Sequence, residues 1–328
     1  MKAVVITRPG DSSVLELQEV ADPKPDSRAL LVRVVATALN RADSLQRMGK
    51  YPAPAGTRQD IPGLEYAGIV ERVGPEAGAF ATGDRVMGLV SGEAHAELVA
   101  VPAVTAIKVP ENLTLEHAAA IPEAFLTAHD ALNLQLQLRA GEHILIHAVG
   151  SGVGTAAVQL ARVIGATTIG TSTTSSKLLK AQKLGLQHGI DSENSDFQEI
   201  VHDITNGRGV ETILDLIGAS NWSANIQCLA PRGRIILVGL LGGRNVEADL
   251  GTILVRRLHI MGTVLRSRSL GEKAELTKHF AENLLPFFEA GTLEPVIDTV
   301  FPIQKVSAAH TYLDENRNFG KIILAMDT

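Results

Sequence analysis

An apolar strand that runs into a glycine-rich turn, and then into a helix of small residues, constrains this chain more than any other feature. The run is His143-Ile144-Leu145-Ile146-His147-Ala148-Val149-Gly150-Ser151-Gly152-Val153-Gly154-Thr155-Ala156-Ala157, continuing to Ala161. Glycine lets the backbone approach a pyrophosphate, and the free N–H groups and dipole at a helix start favour an anion. The strict G-x-G-x-x-G spacing fails by one, because Gly150 and Gly152 fit but the next glycine is Gly154. A tight turn made for packing would look the same, so context has to decide.

From about Glu116 strand-like and helix-like segments alternate six times. Strands are expected at 143–147, 167–171, 187–190, 211–216, 234–239 and 259–264, with helices at 152–164, 176–184, 197–205, 221–229 and 250–256. Parallel neighbours need crossover connections, so this alternation predicts an α/β fold with a doubly wound parallel sheet. The turn opens the first of its units, which favours nucleotide binding. The first third reads instead as short strands (3–6, 14–19, 30–36, 66–73, 83–89, 94–101) with one helix at 41–48, a pattern of small barrels or sandwiches. A helix at 271–290, a strand at 296–301, a helix at 303–316 and a strand at 321–325 follow the sheet. That return to mixed structure suggests a C-terminal piece rejoining the N-terminal domain, with domains at 1–120, 121–265 and 266–328.

The second strand ends in Gly170-Thr171-Ser172-Thr173-Thr174-Ser175-Ser176-Lys177, and no carboxylate follows until Asp191. An enzyme that reads the ribose 2′-OH of NAD usually carries an acid in this region. Hydroxyls such as that of Thr171, and Lys177, suit a 2′-phosphate instead, which favours NADPH over NADH; the bland reading is a polar helix cap. A second strip, Ile236 to Gly243, also ends in glycines and makes Gly239 either a crevice residue or a plain turn.

Composition removes several classes. One cysteine, Cys228, among 328 residues permits no intramolecular disulfide and no Cys-rich zinc site. With 36 acidic against 30 basic residues the formal charge is −6, so a global footprint for nucleic acid is missing. No apolar run approaches ~20 residues, and the N-terminus turns polar too soon for a secretory signal. The expectation is a soluble, cytoplasmic protein without a membrane partner.

Several separated stretches carry a family resemblance: Ala38-Leu39-Asn40-Arg41-Ala42-Asp43, Pro62-Gly63-Leu64-Glu65-Tyr66-Ala67-Gly68, Gly83-Asp84-Arg85-Val86, Ala118-Ala119-Ala120-Ile121-Pro122, and the turn with Gly154, Gln159 and Arg162. Over nearly its whole length the chain resembles the medium-chain dehydrogenase/reductase superfamily, in its zinc-free quinone oxidoreductase branch. Leu265-Arg266-Ser267-Arg268 and Ile121-Pro122-Glu123-Ala124 are closest to the tumour-suppressor-induced type. The resemblance implies a GroES-like β-barrel catalytic domain beside a Rossmann domain, NADPH-dependent reduction of quinones in the interdomain cleft, and a homodimer joined near 257–264. It implies cofactor contacts from Asn40, Tyr51, Ser151, Gly152, Val153, Gly154, Lys177, Gly239, Leu265, Ser267 and Asn318. It departs from relatives with two successive glycines at Ser151-Gly152, and Ser192 stands where the closest type has an adenine-side tyrosine. Metal-dependent members have Gly-His-Glu where this chain has Gly63-Leu64-Glu65, so no metal site is expected.

A quinone is already electrophilic, so strong Lewis-acid polarisation is dispensable; the protein must orient the reactants and donate hydrogen bonds to developing oxyanion charge. Asn40 and Tyr51 are the catalytic candidates, through an amide and a hydroxyl; as structural groups Asn40 would tie a turn and Tyr51 would cap a core edge. Glu65 and His147 read as structural or catalytic, Glu123 as structural or as closing the entrance to the crevice, and Arg266 and Arg268 as partners of the 2′-phosphate or loop covers. His95, His129 and Cys228 show no partner spacing. Two other functions stay open: an NADPH-dependent alkenal or enone reductase, and a non-catalytic NADPH- or RNA-binding protein like zeta-crystallin.

Overall fold

In the computed structural model, which describes residues 1–326, the chain forms two units: Met1–Leu126 with Leu265–Thr328, and Thr127–Val264. The strands in chain order are β1 (Lys2–Ile6), β2 (Leu15–Glu19), β3 (Ala29–Ala38), β4 (Glu65–Val73), β5 (Arg85–Leu89), β6 (Leu98–Pro102), β7 (Ala106–Lys108), β8 (His143–Ile146), β9 (Thr167–Ser172), β10 (His188–Asp191), β11 (Val210–Asp215), β12 (Leu229–Leu237), β13 (His259–Gly262), β14 (Ile297–Pro302) and β15 (Lys321–Ala325). The helices are α1 (Arg41–Arg47), α2 (Leu115–Ala119), α3 (Pro122–His129), α4 (Gly152–Ile164), α5 (Ser175–Leu184), α6 (Phe197–Ile204), α7 (Trp222–Cys228), α8 (Leu250–Arg256), α9 (Leu270–Asn283), α10 (Leu285–Glu289) and α11 (Val306–Asp314).

The second unit is the doubly wound sheet. Its strands run parallel in the order β10-β9-β8-β11-β12-β13. The chain starts in the middle at β8, moves outward through β9 and β10, and returns to the other side of β8 at β11. Strand order therefore reverses between β8 and β11, where open α/β sheets bind ligands beyond the strand carboxyl ends. Leu145, Ile169, Ile190, Ile213 and Ile235 build one face into a core with Phe197, Val201, Ile226 and Leu258. Helix α4 occupies the expected residues because both ends are specified. Ser151 in extended backbone accepts the Gly154 N–H at 3.0 Å, and Gly165 closes the helix in the left-handed region at φ 87°.

The first unit centres on β3, which pairs with β4, β6 and β15. The seven-stranded sheet runs β14-β15-β3-β4-β5-β7, with β6 on β3, so the C-terminal strands join the N-terminal sheet. Val32, Val34, Tyr66, Val86, Val101, Ile322 and Leu324 share its core.

Three expectations shift. The single helix at 271–290 is two helices, α9 and α10, broken at Leu284 because Pro286 has no N–H and its ring crowds the preceding turn. The helix expected from 303 opens as a 3₁₀ turn, Ile303–Lys305, before α11. The units divide inside α3, after Leu126, and again after Val264, rather than at 120 and 265. Among the described residues no helix is long and apolar enough to cross a membrane.

Candidate functional site

In the second unit the turn between β8 and α4 holds Ser151, Gly152, Val153 and Gly154 together. The N–H groups of Gly152 and Val153 are in the first turn of the helix, with no carbonyl one turn back to meet them. Ser151 accepts from Gly154 and keeps its own hydroxyl hydrogen to give. Gly154 has no room for a side chain, since a Cβ would meet the carbonyl oxygen of Ala148 and lie 2.7 Å from Val149 Cα. Ala148 itself is held at φ 53°, a strained non-glycine position at the entry to the turn. The stem of Lys177, on α5, packs against Gly150, where a Cβ would come within 2.7 Å of the lysine Cδ. Gly239 follows β12 and packs on Leu216, whose carbonyl oxygen would be 2.8 Å from an added Cβ.

Thr171 is near the end of β9, as expected, but its side chain is turned inward. It is buried, and its Oγ1 is 2.9 Å from His147 Nδ1. The other ring nitrogen, Nε2, is 2.7 Å from Asn225 Oδ1, and Asn225 Nδ2 donates to Asp215 Oδ2 at 3.1 Å. A carboxylate only accepts, so Asn225 turns its NH2 to Asp215 and its carbonyl to His147, which must donate from Nε2. The neutral ring then accepts at Nδ1, and the Thr171 hydroxyl hydrogen points at it. The Thr171 hydroxyl is thus engaged inside the unit, which weighs against its reading as a 2′-phosphate contact, and Asn221 Nδ2 is 3.5 Å from the same ring nitrogen. Next to it, Ser172 is in register with Asp191, whose carboxylate accepts from Ser175 Oγ at 2.8 Å and Asn194 Nδ2 at 3.1 Å. These donors hold Asp191 below the usual carboxylate range.

The first unit carries the catalytic candidates. Asn40 caps α1, and its N–H donates to Asp43 Oδ2 at 2.8 Å. Its amide is engaged on both sides: Nδ2 donates to Glu65 Oε1 at 2.9 Å, and Oδ1 accepts from Lys321 Nζ at 2.6 Å. Lys321 Nζ also donates to Glu65 Oε1 at 2.7 Å and to the Leu39 carbonyl at 3.1 Å. Glu65 Oε2 accepts the Glu123 N–H at 2.8 Å. The buried Glu65 and Lys321 and the half-buried Asn40 thus form one polar cluster in which Asn40 holds its neighbours in place.

Tyr51 follows α1 and is half-buried. Arg266 lies over its ring, 5.1 Å from the centroid, and donates to the Tyr51 carbonyl at 3.2 Å, to Ser91 O at 2.7 Å and to Gln46 Oε1 at 2.5 Å. Arg266 is therefore a strut inside the first unit rather than a free phosphate ligand. Burial raises the Tyr51 phenol, so it remains a donor at neutral pH. Leu265 is buried and Ser267 exposed, and Asn318 Nδ2 donates to the Gly320 carbonyl at 2.7 Å. Glu123 was not singled out as a proton carrier by its sequence context. Its carboxyl is desolvated and faces the anionic Glu65, which together push it up to about 8.

His95, His147 and His310 are buried, and burial lowers all three rings. Below an unfolded value of ~6.5 the unfolded chain takes up protons that these rings refuse, so stability falls as pH drops. Glu123 acts oppositely: from ~4.5 to about 8 it holds a proton in the folded chain alone, so stability falls as pH rises. Each group contributes a slope of at most about 1.4 kcal/mol per pH unit, reached only between its folded and unfolded values. Stability is expected to peak near pH ~6.5, steeper on the acid side. Urea midpoints at pH ~5, ~6.5 and ~8 check this; a midpoint rising steadily to the highest pH contradicts it.

Residues 26–111 match the family described as alcohol dehydrogenase GroES-like domain, and residues 152–282 the family described as zinc-binding dehydrogenase. The chain is 32% identical to a 2-haloacrylate reductase of Burkholderia sp, covering 99% of this chain and 98% of that protein. It is also 32% identical to a quinone oxidoreductase of Pseudomonas aeruginosa over 96% of each. Its structure is similar to that of Escherichia coli quinone oxidoreductase complexed with NADPH, with a TM-score of 0.91, 26% identity, and coverage of 99% of this chain and 100% of that one. The chain belongs to the medium-chain dehydrogenase/reductase superfamily, with its Rossmann and GroES-like domains. Within that superfamily it falls in the quinone oxidoreductase branch, and it is an oxidoreductase.

One family description names zinc, and the residues here do not fit that ion. Leu64, buried and apolar, precedes Glu65, and Glu65 already holds an internal ammonium. Cys228 is in the second unit, its thiol pushed up to about 12 by burial. Among the described residues no three His, Cys, Asp or Glu side chains gather in a way that could hold a metal.

Proposed function

We propose that this chain is an NADPH-dependent quinone reductase that works without a metal ion. The observation that carries the reading is the Ser151–Gly154 turn, with open N–H groups and a glycine-only approach, at the point where the strand order reverses. Bound NADPH supplies reducing equivalents from nicotinamide C4. Ser151, Gly152, Val153 and Gly154 hold its pyrophosphate, Lys177 pairs with the 2′-phosphate, and Gly239, Leu265, Ser267 and Asn318 complete its contacts. Tyr51, kept protonated and oriented by Arg266, donates to the oxygen on which charge develops. Asn40 serves the same end by fixing Glu65 and Lys321. The relative that reduces 2-haloacrylate supports a second reading, reduction of an activated alkene at the same site.

The test is oxidation of NADPH and NADH with a panel of quinones and enones, with and without chelator. Quinone turnover that prefers NADPH and ignores chelator supports the proposal. Turnover of enones alone selects the second reading, and chelator-sensitive turnover removes the metal-free claim. Lys177→Glu is expected to weaken NADPH relative to NADH by at least about tenfold, or ~1.4 kcal/mol; unchanged discrimination counts against the 2′-phosphate contact.

The reading extends to a homodimer of cytoplasmic protein. Strand β13 pairs with β12 and ends the sheet, with Ile260 36% exposed, and α8 presents Leu250, Leu254 and Val255 to solvent at 71–75%. An unpaired edge beside exposed apolar residues suits a second copy of the same chain. Wild type is expected to sediment as a dimer and Ile260→Lys to shift it toward monomer; a monomeric wild type contradicts the proposal.

A further inference from the structure

The buried chain Thr171–His147–Asn225–Asp215 is not used by the chemistry above, yet it ties together the strand ends that carry the turn. His147 follows β8, Thr171 is in β9, Asp215 ends β11 and Asn225 is in α7. Asp215 Oδ1 accepts the N–H groups of Ile217 at 2.7 Å and Gly218 at 3.1 Å, which fixes the exit from β11. The His147 N–H donates to the Leu214 carbonyl at 3.1 Å, and the Val149 N–H to the Thr171 carbonyl at 3.0 Å. Backbone and side chains therefore clamp β8 to both neighbours, on either side of the topological reversal, within seven residues of Gly154. The ring is also wedged edge-on against Phe197, with centroids 5.1 Å apart. All four polar side chains are buried, so any unpaired member would be costly to leave there.

We propose that His147, held in its Nε2–H form by Asn225 and Asp215, is a positioning residue that sets the phosphate turn for the dinucleotide. It touches neither cofactor nor acceptor; it acts through the backbone of Ala148 and Val149. The inference rests on the dinucleotide reading of the turn. Its signature is a loss confined to cofactor binding: Gly154 and Ser151 shift when the clamp is removed, while the residues around Tyr51 in the first unit do not.

Two measurements test it. Two-bond ¹H–¹⁵N correlation spectra of the wild type at neutral pH are expected to show the His147 ring neutral and protonated at Nε2. His147→Phe, which keeps an aromatic ring against Phe197 but leaves the Thr171 hydroxyl and the Asn225 carbonyl without it, is expected to raise Kd and KM for NADPH at least about 10-fold, with kcat at saturating NADPH held within about twofold. Thr171→Val, which leaves Nδ1 only the longer 3.5 Å contact from Asn221 Nδ2, is expected to move KM the same way by a smaller factor. A ring protonated at Nδ1, or folded variants whose Kd is unchanged, or a fall in kcat alone, overturns the role. A wild type that binds no NADPH overturns the function reading and this role with it, whereas normal binding that ignores the substitutions overturns the role alone.

Discussion

Lys321→Met is expected to destabilise the first unit by about 3–5 kcal/mol, the cost of breaking a buried ion pair by removing one partner. Lys321 and Glu65 are 5% and 0% exposed, with Nζ 2.7 Å from Oε1. Methionine matches the stem but leaves the Glu65 carboxylate with only two neutral donors, Asn40 Nδ2 and the Glu123 N–H. It also removes the donor on Asn40 Oδ1, freeing the amide to turn. The double variant Lys321→Met with Glu65→Gln removes both charges and is expected to recover most of the loss, because a neutral pair needs no desolvated partner. Urea denaturation of the four combinations measures this. A single variant that loses less than ~1 kcal/mol would show that water reaches Glu65 and that the cluster is weaker than its geometry indicates.

Gly154→Ala is expected to have the second large effect, this time on binding. The added methyl meets backbone atoms, the Ala148 carbonyl oxygen and Val149 Cα, so the turn itself must move. A displacement on the order of 1 Å at a positioned group costs about 100-fold, and the NADPH affinity is expected to fall by that much. Gly150→Ala is the control for the fold, since its methyl meets the flexible stem of Lys177 and can be accommodated by a rotamer change. Thermal melting is expected to show the greater loss for Gly154→Ala, and NADPH affinity unchanged in a folded Gly154→Ala protein contradicts the placement of the phosphate.

The second unit was legible in the sequence because its signals are local. The 3.6-residue periodicity of 152–164, the serine before it and the glycine after it fix α4 to the residue. The break between α9 and α10 carried a local signal too, in Pro286, but the apolar periodicity on either side masks it. The candidate site was legible only in part. Its glycines report backbone geometry, which sequence encodes directly. Polar pairing is not encoded in that way: His147 meets Thr171 and Asn225 across 24 and 78 residues, and Lys321 meets Glu65 across 256. A hydroxyl at a strand end looks like a phosphate ligand until the ring that consumes its proton is located. Lys321 likewise heads an apolar strand, and nothing local in the sequence shows that its ammonium is buried against Glu65. Arg266, poised in sequence between a phosphate and a loop, is fixed by Gln46 and Ser91 of distant segments.

The central claim is that reduced dinucleotide binds at the turn between β8 and α4. Trp222, the single tryptophan, is in α7 of the same unit, so energy transfer from it to the reduced nicotinamide reports binding without turnover. Titration of the wild type with NADPH and with NADH is expected to give saturable quenching for both, with NADPH the tighter, and quenching reduced by about 100-fold in affinity for Gly154→Ala. A wild type whose tryptophan emission shows no saturable response to either dinucleotide, in a folded protein, contradicts the account.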